Sequence, residues 1–233
     1  MSRVLLDILL IAVPAILAIT LHEAAHGYAA LALGDDTARA AGRLSLNPLR
    51  HIDRFGTIIL PAILVLGQLA AFGRILFLFG WAKPVPVAAW KFRDPRRGMA
   101  FVAAAGPAMN FFLAWLGALG LYLPGALPDP AANIVGSLFS FFILFNLALG
   151  LFNLLPIPPL DGGRIVVGLL PAPIALRYAR IERLGILIVL VIFFLVPALA
   201  EEMGFAFDPV RAFLDSVLPA LTNLVFFLAG HHA

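Results

Sequence analysis

His22 and His26 bracket Glu23 in the pentad His22-Glu23-Ala24-Ala25-His26. On a helix, residues i and i+4 share nearly one face, about 6 Å apart along the axis, so both imidazoles can reach one metal ion. Glu23 then stands beside that ion as a candidate general base for hydrolysis. In a soluble helix the same pair reads equally well as packed or hydrogen-bonded histidines. Here the pentad lies inside a long apolar run. Three ionisable groups in one turn of a membrane helix are costly to bury, and such groups are by default functional.

Catalytic zinc takes three protein ligands and leaves a position for water, and the pentad supplies two. The chain has no cysteine, which removes disulfides, thiolate zinc sites and cysteine nucleophiles. The other histidines are His51, His231 and His232, the last two at the extreme terminus, where a tail or an appended tag is the expected reading. Carboxylates remain. Asp161 stands out in the stretch from Asn153 to Arg164, where Pro156, Pro158, Pro159, Gly162 and Gly163 interrupt an apolar run. Such an interruption frees the side chain to point inward. Judged locally, an Asp before Gly-Gly is also an ordinary turn or cap residue.

These groups must be positioned by membrane helices. Of 233 residues, 62% are hydrophobic and 12% charged, and mean hydropathy is +1.01. Those values exclude a soluble globular domain. Runs long enough to span a bilayer cover 4–33, 98–123, 132–155, 184–200 and 210–229, and a further apolar segment covers 56–80. The alternation of a membrane β-barrel is absent, which leaves helices to satisfy the backbone in lipid. The expected fold is all-α and polytopic: about five transmembrane helices plus a re-entrant or sixth hydrophobic segment. One membrane-embedded domain should fill the chain, with core spans over 4–33, 98–123 and 132–170 and peripheral spans over 184–229. The first run is too long for a signal peptide, and it carries Asp7 and the pentad.

Sixteen Lys and Arg against thirteen Asp and Glu give a net charge of +3, unevenly placed. Cations cluster after the pentad (Arg39, Arg43, Arg50), before residue 98 (Lys83, Lys91, Arg93) and after Asp161 (Arg164, Arg177, Arg180). By the positive-inside rule these loops are cytoplasmic, and nucleic acid is not needed to explain them. With basic loops on both its flanks, 56–80 is expected to re-enter or form a shallow hairpin, Pro61, Gly67 and Gly73 being break points. A true crossing with one loop misassigned is the alternative. Phe79 to Val87, punctuated by Pro84 and Pro86, is expected to run extended.

Taken together, these features resemble the site-2 proteases, intramembrane zinc metalloproteases, in a compact prokaryotic form without PDZ or CBS modules. The resemblance rests on the pentad, on Ala105-Gly106-Pro107-Ala108-Met109-Asn110, and on Asn153 with Leu160-Asp161-Gly162-Gly163. The stretches Gly42 to Pro48 and Gly80 to Val87 look like the subgroup lacking accessory domains. It implies one zinc ion per chain held by His22, His26 and Asp161, with Glu23 activating a water. Asn153 is placed either to donate to the tetrahedral oxyanion or to bond between helices. Asn110 takes a structural role, and Gly106 and Pro107 suit close packing and a helix start.

The function this implies is hydrolysis of peptide bonds in or near transmembrane segments, as in regulated intramembrane proteolysis. Expected partners are a transmembrane protein or peptide substrate and the bilayer, with a homo-oligomer left open and nucleic acid excluded. The expected site is the prokaryotic plasma membrane, active site toward the cytoplasm. The rival readings are a membrane metal transporter and a non-catalytic scaffold that binds membrane helices.

Overall fold

A computed structural model describes residues 3–73, 80, 82–205 and 207–231. The helices in chain order are α1 (Arg3–Ala32), α2 (Thr37–Ala40), α3 (Leu60–Phe72), α4 (Pro95–Gly120), α5 (Asp129–Asn153), α6 (Asp161–Leu169), α7 (Ala172–Ala179), α8 (Gly185–Leu190), α9 (Val196–Glu202) and α10 (Pro209–Leu228). No strand occurs among the described residues. Among the described residues, five segments are long and apolar enough to cross a membrane: Leu5–Ala32, Pro95–Ala126, Asp129–Asn153, Ala172–Glu202 and Pro209–Leu228. The chain is thus an all-α, multi-pass membrane protein.

Helices α1, α4 and α5 pack on one another, and α6 lies against α4. Lipid removes the hydrophobic drive between membrane helices, so small residues that allow close approach decide where they meet. Ala114 and Ala118 of α4 accordingly pack with Ile143 and Leu147 of α5 and Val225 of α10. Both α4 and α10 begin at an Asp-Pro pair. Asp94 caps the Arg96 and Arg97 N–H groups, and Asp208 caps that of Arg211, each followed by Pro at the first helical position.

Four expectations are corrected here. The span expected over 132–170 stops at Asn153 and restarts as α6 at Asp161, because Pro156, Pro158 and Pro159 remove helix donors between them. Gly106 and Pro107 do not start a helix but lie within α4, whose start the Asp94 cap fixes. In 56–80, Gly67 lies within α3 without breaking it, and Pro61 falls where a π-helical stretch, Arg54–Ile59, started by the Asp53 cap, runs straight into α3, so the proline meets a change of helical pitch and not an end. The break falls at Gly73, whose φ of 66° ends the helix in the left-handed region. Finally, His231 is no loose tail. Its Nε2 lies 2.8 Å from the Ala118 carbonyl, and its ring stacks on Tyr122 at 4.3 Å. Tyr122 and Trp115 also donate to the Ala229 and Leu228 carbonyls, latching the end of α10 to α4. His232 lies outside the described residues.

The two ends of the 56–80 segment come back together, as a re-entrant segment requires: Lys83 N–H donates to the His51 carbonyl at 2.8 Å. Phe79 and Trp81, part of the stretch expected to run extended, lie outside the described residues; Ala82–Ala88 is free of helix. This strap is pinned along its length. Val85 N–H donates to Glu23 Oε2 at 3.1 Å, and Ala88 N–H to Asp35 Oδ2 at 2.6 Å.

Asp35 is fully buried and also accepts from the Thr37 N–H at 3.0 Å and the Thr37 hydroxyl at 2.5 Å, with Lys91 Nζ 3.4 Å away. Burial pushes its carboxyl up, but these hydrogen bonds outweigh burial and hold it below the usual carboxylate range. A depressed carboxylate stabilises the fold above its unfolded value and loses that contribution as pH falls through its folded one. Asp35→Ala should therefore cost about 1–3 kcal/mol through unpaired N–H groups. In thermal unfolding of the detergent-solubilised protein, the gap between wild type and variant should close as pH drops below about 4.

Candidate active site

The pentad falls toward the C-terminal end of α1, where α4 packs against it. His22 Nε2 and His26 Nε2 lie 3.0 Å apart, and Asp161 Oδ2 lies 3.1 Å from the first and 3.3 Å from the second. All three ligand atoms fall within 4.8 Å of one another. The outer nitrogens are already committed. His26 Nδ1 donates to the Val102 carbonyl at 2.7 Å, and His22 Nδ1 faces Asn110 Oδ1 at 2.6 Å. Protons on both Nδ1 atoms leave both Nε2 lone pairs facing inward.

Asp161 reaches this point because α6 starts there after the proline turn. A Cβ on Gly162 would collide with the Leu154 and Leu155 carbonyls, and one on Gly163 would lie 2.6 Å from Pro158 N. Only glycines let the helix start this close to the preceding turn. Asp161 Oδ2 is sealed from solvent and has no hydrogen-bond donor among the described residues.

Two bare nitrogen lone pairs and a carboxylate oxygen so close would repel one another unless a cation lay among them. Zinc held at about 2.0–2.1 Å by tetrahedral nitrogen and oxygen ligands sets those ligands about 3.3–3.4 Å apart. The observed triangle has nearly that size, and the donor set is one zinc accepts. The residues therefore fit the metal.

The three groups open onto a cleft of about 850 Å³ that Glu23, Asn153 and Arg164 also line. Glu23 keeps Oε2 on the Val85 N–H. Asn153 donates one amide hydrogen to the Leu149 carbonyl at 3.0 Å, within its own helix. All five expected site residues thus border one cleft. Sequence reading gave too little weight to Asn110 and none to Asn146, although an amide in an apolar span is itself a signal. His51, set aside as a ligand, also lines the cleft, its Nε2 2.8 Å from the Ser45 carbonyl.

Comparison with known proteins agrees with this chemistry. A model of peptidase family M50 matches residues 128–196, which hold Asn153 and Asp161. YwhC of Bacillus subtilis, provisionally named a zinc metalloprotease, is 43% identical over 182 residues, 76% of this chain and 77% of that protein. The chain belongs to peptidase family M50. That is the site-2 protease family its motifs resemble, and it makes the chain a zinc metalloprotease. Rip2 of Mycolicibacterium smegmatis is 32% identical over 149 residues, 63% of this chain and 52% of that protein. Rip3 of Mycobacterium tuberculosis is 45% identical over 96 residues, 41% of this chain and 21% of that protein. Both names carry the same provisional assignment. No solved structure matches the chain.

Gly106 lets α4 close on the histidines. A Cβ there would stand 2.5 Å from Cε1 of both rings and 2.6 Å from His26 Nε2. Gly106→Ala should displace the imidazoles, and elemental analysis should find the purified variant depleted of zinc while its circular dichroism still reports a helical protein.

Proposed function

We propose that this metalloprotease cuts peptide bonds in or near transmembrane segments of membrane proteins, using zinc held by His22, His26 and Asp161 and Glu23 as general base. The observation that carries the reading is the convergence of the two Nε2 atoms and Asp161 Oδ2 at 3.0–3.3 Å, beside Glu23, in a cleft between membrane helices. When bound, zinc supplies a Lewis acid that lowers the pKa of a water toward ~7 and polarises the scissile carbonyl.

The chain's own groups do the rest. The Glu23 carboxylate, steadied through Oε2 by Val85, takes a proton from the attacking water and passes it to the leaving nitrogen. Asn153 keeps a second amide hydrogen beyond the one given to Leu149, and donates it to the developing oxyanion. A substrate helix must unwind before attack, and the Ala82–Ala88 strap is the element an unwound strand would lie beside. Its Val85 N–H is spent on Glu23, and Pro84 and Pro86 have none. What the strap offers a substrate is therefore mainly carbonyl acceptors. The plasma membrane, with the basic loops and the cleft toward the cytoplasm, is the location this reading implies.

The test compares bound zinc and cleavage of a membrane substrate in reconstituted vesicles. Glu23→Gln should keep zinc yet lose about 10²–10⁴-fold in rate, whereas Asp161→Asn should weaken both. Undiminished cleavage by Glu23→Gln would sink the mechanism, and metal flux without proteolysis would favour a transporter. Asn153→Ala should lower kcat by about 10²–10³-fold with zinc content unchanged, if the oxyanion role is right.

A further inference from the structure

Two amides sit at the centre of the bundle with no exposure: Asn110 on α4 and Asn146 on α5. Amides that merely join helices can face either way, but the partners of these two fix their direction. Asn146 Nδ2 lies 2.8 Å from the Phe142 carbonyl, which can only accept. Asn146 Oδ1 is thereby turned to Asn110, whose Nδ2 donates to it at 2.9 Å and faces the Ala18 carbonyl at 3.4 Å. Asn110 Oδ1 is left facing His22 Nδ1 at 2.6 Å and requires a proton there. With Nδ1 protonated, the Nε2 lone pair is bare and faces Asp161 and His26.

We propose that Asn110 and Asn146 are positioning residues that set the tautomer and ring orientation of His22 for zinc. The Phe142 carbonyl fixes the direction of the relay. The inference rests on the reading of His22 as a zinc ligand. Outer partners of metal-bound histidines are typically worth about 10–100-fold in metal affinity. This relay reaches beyond the first such partner, because Asn146 acts on His22 only through Asn110.

The experiment measures zinc affinity of the full chain in detergent by competition with a chelator. It covers wild type, Asn110→Leu, Asn110→Asp, Asn146→Leu and His22→Ala, with thermal unfolding of the zinc-free forms as the check on folding. Asn110→Leu should weaken zinc by about 10–100-fold. Asn146→Leu, which keeps the branched shape without the amide and is out of reach of His22, should weaken it less but in the same direction, and should shift the visible absorption of the cobalt-substituted protein. Asn110→Asp should bind zinc more tightly than Asn110→Leu, because its carboxylate accepts the same Nδ1 proton although it has no N–H for Asn146 Oδ1; a purely structural amide would show no such rescue. If Asn110→Leu does not fold, the other two asparagine variants decide. Wild-type affinity and an unshifted cobalt spectrum in folded Asn146→Leu, or an Asn110→Asp variant that binds zinc as poorly as Asn110→Leu, would overturn the relay. His22→Ala separates this from the reading beneath it. Zinc lost there but kept in both Asn110→Leu and Asn146→Leu removes the relay alone, and zinc kept in His22→Ala removes the ligand assignment and the relay with it.

Discussion

Three atoms rich in electrons, two imidazole nitrogens and a carboxylate oxygen, meet within 3.3 Å inside a bundle of membrane helices. In a medium with little water to screen them, that meeting is unfavourable unless a cation joins it, so the protein must hold each group from behind. Helix α4 does most of this. Val102 accepts from His26, Asn110 faces His22, and Gly106 lies between them without a side chain. The spacing 102, 106, 110 is four residues each time, one stripe along one face of a helix. The i, i+4 pair on α1 is thus read by an i, i+4, i+8 stripe on α4, running the opposite way.

The proposed general base is supported from another direction. Glu23 is held by Val85, Val85 belongs to a strap tied to His51 at Lys83 and to Asp35 at Ala88, and Asp35 follows the end of α1. The chain thus closes a loop on itself outside the apolar spans. In the proposed mechanism, metal ligation depends on helix packing in the membrane, while the base depends on loops and their hydrogen bonds. The two halves of the site should therefore respond to different perturbations.

Much of the site was legible because its chemistry is short-range in sequence or costly in lipid. The pentad declares itself by spacing, and Asp161 by being an acid among prolines and glycines in an apolar run. Asn146 and His231 were not legible, since each takes its meaning from a partner on another helix: Asn110 for the one, Ala118 and Tyr122 for the other. Gly106 was read as a packing residue and is one, but only the crossing of α1 and α4 shows that what it packs against is the pair of histidines. The limits of 56–80 misled for a related reason. A proline at a change of helical pitch and a glycine within α3 look like breaks in sequence and do not end the helix in structure.

The interruption after Asn153 is a geometric necessity. Asn146 sits level with Asn110 and so with His22, while Asp161 must also touch His22. Fifteen residues separate Asn146 from Asp161, and on a straight helix they would part by about 22 Å along the axis. No side chain spans that distance. The chain has to stop, turn and come back toward α4 before Asp161, and Pro156, Pro158 and Pro159 stop it while Gly162 and Gly163 let α6 start against the turn just made. The prolines and glycines around Asp161 are what give α5 and α6 a common level, so that His22 is reached from the first through Asn110 and met by Asp161 of the second.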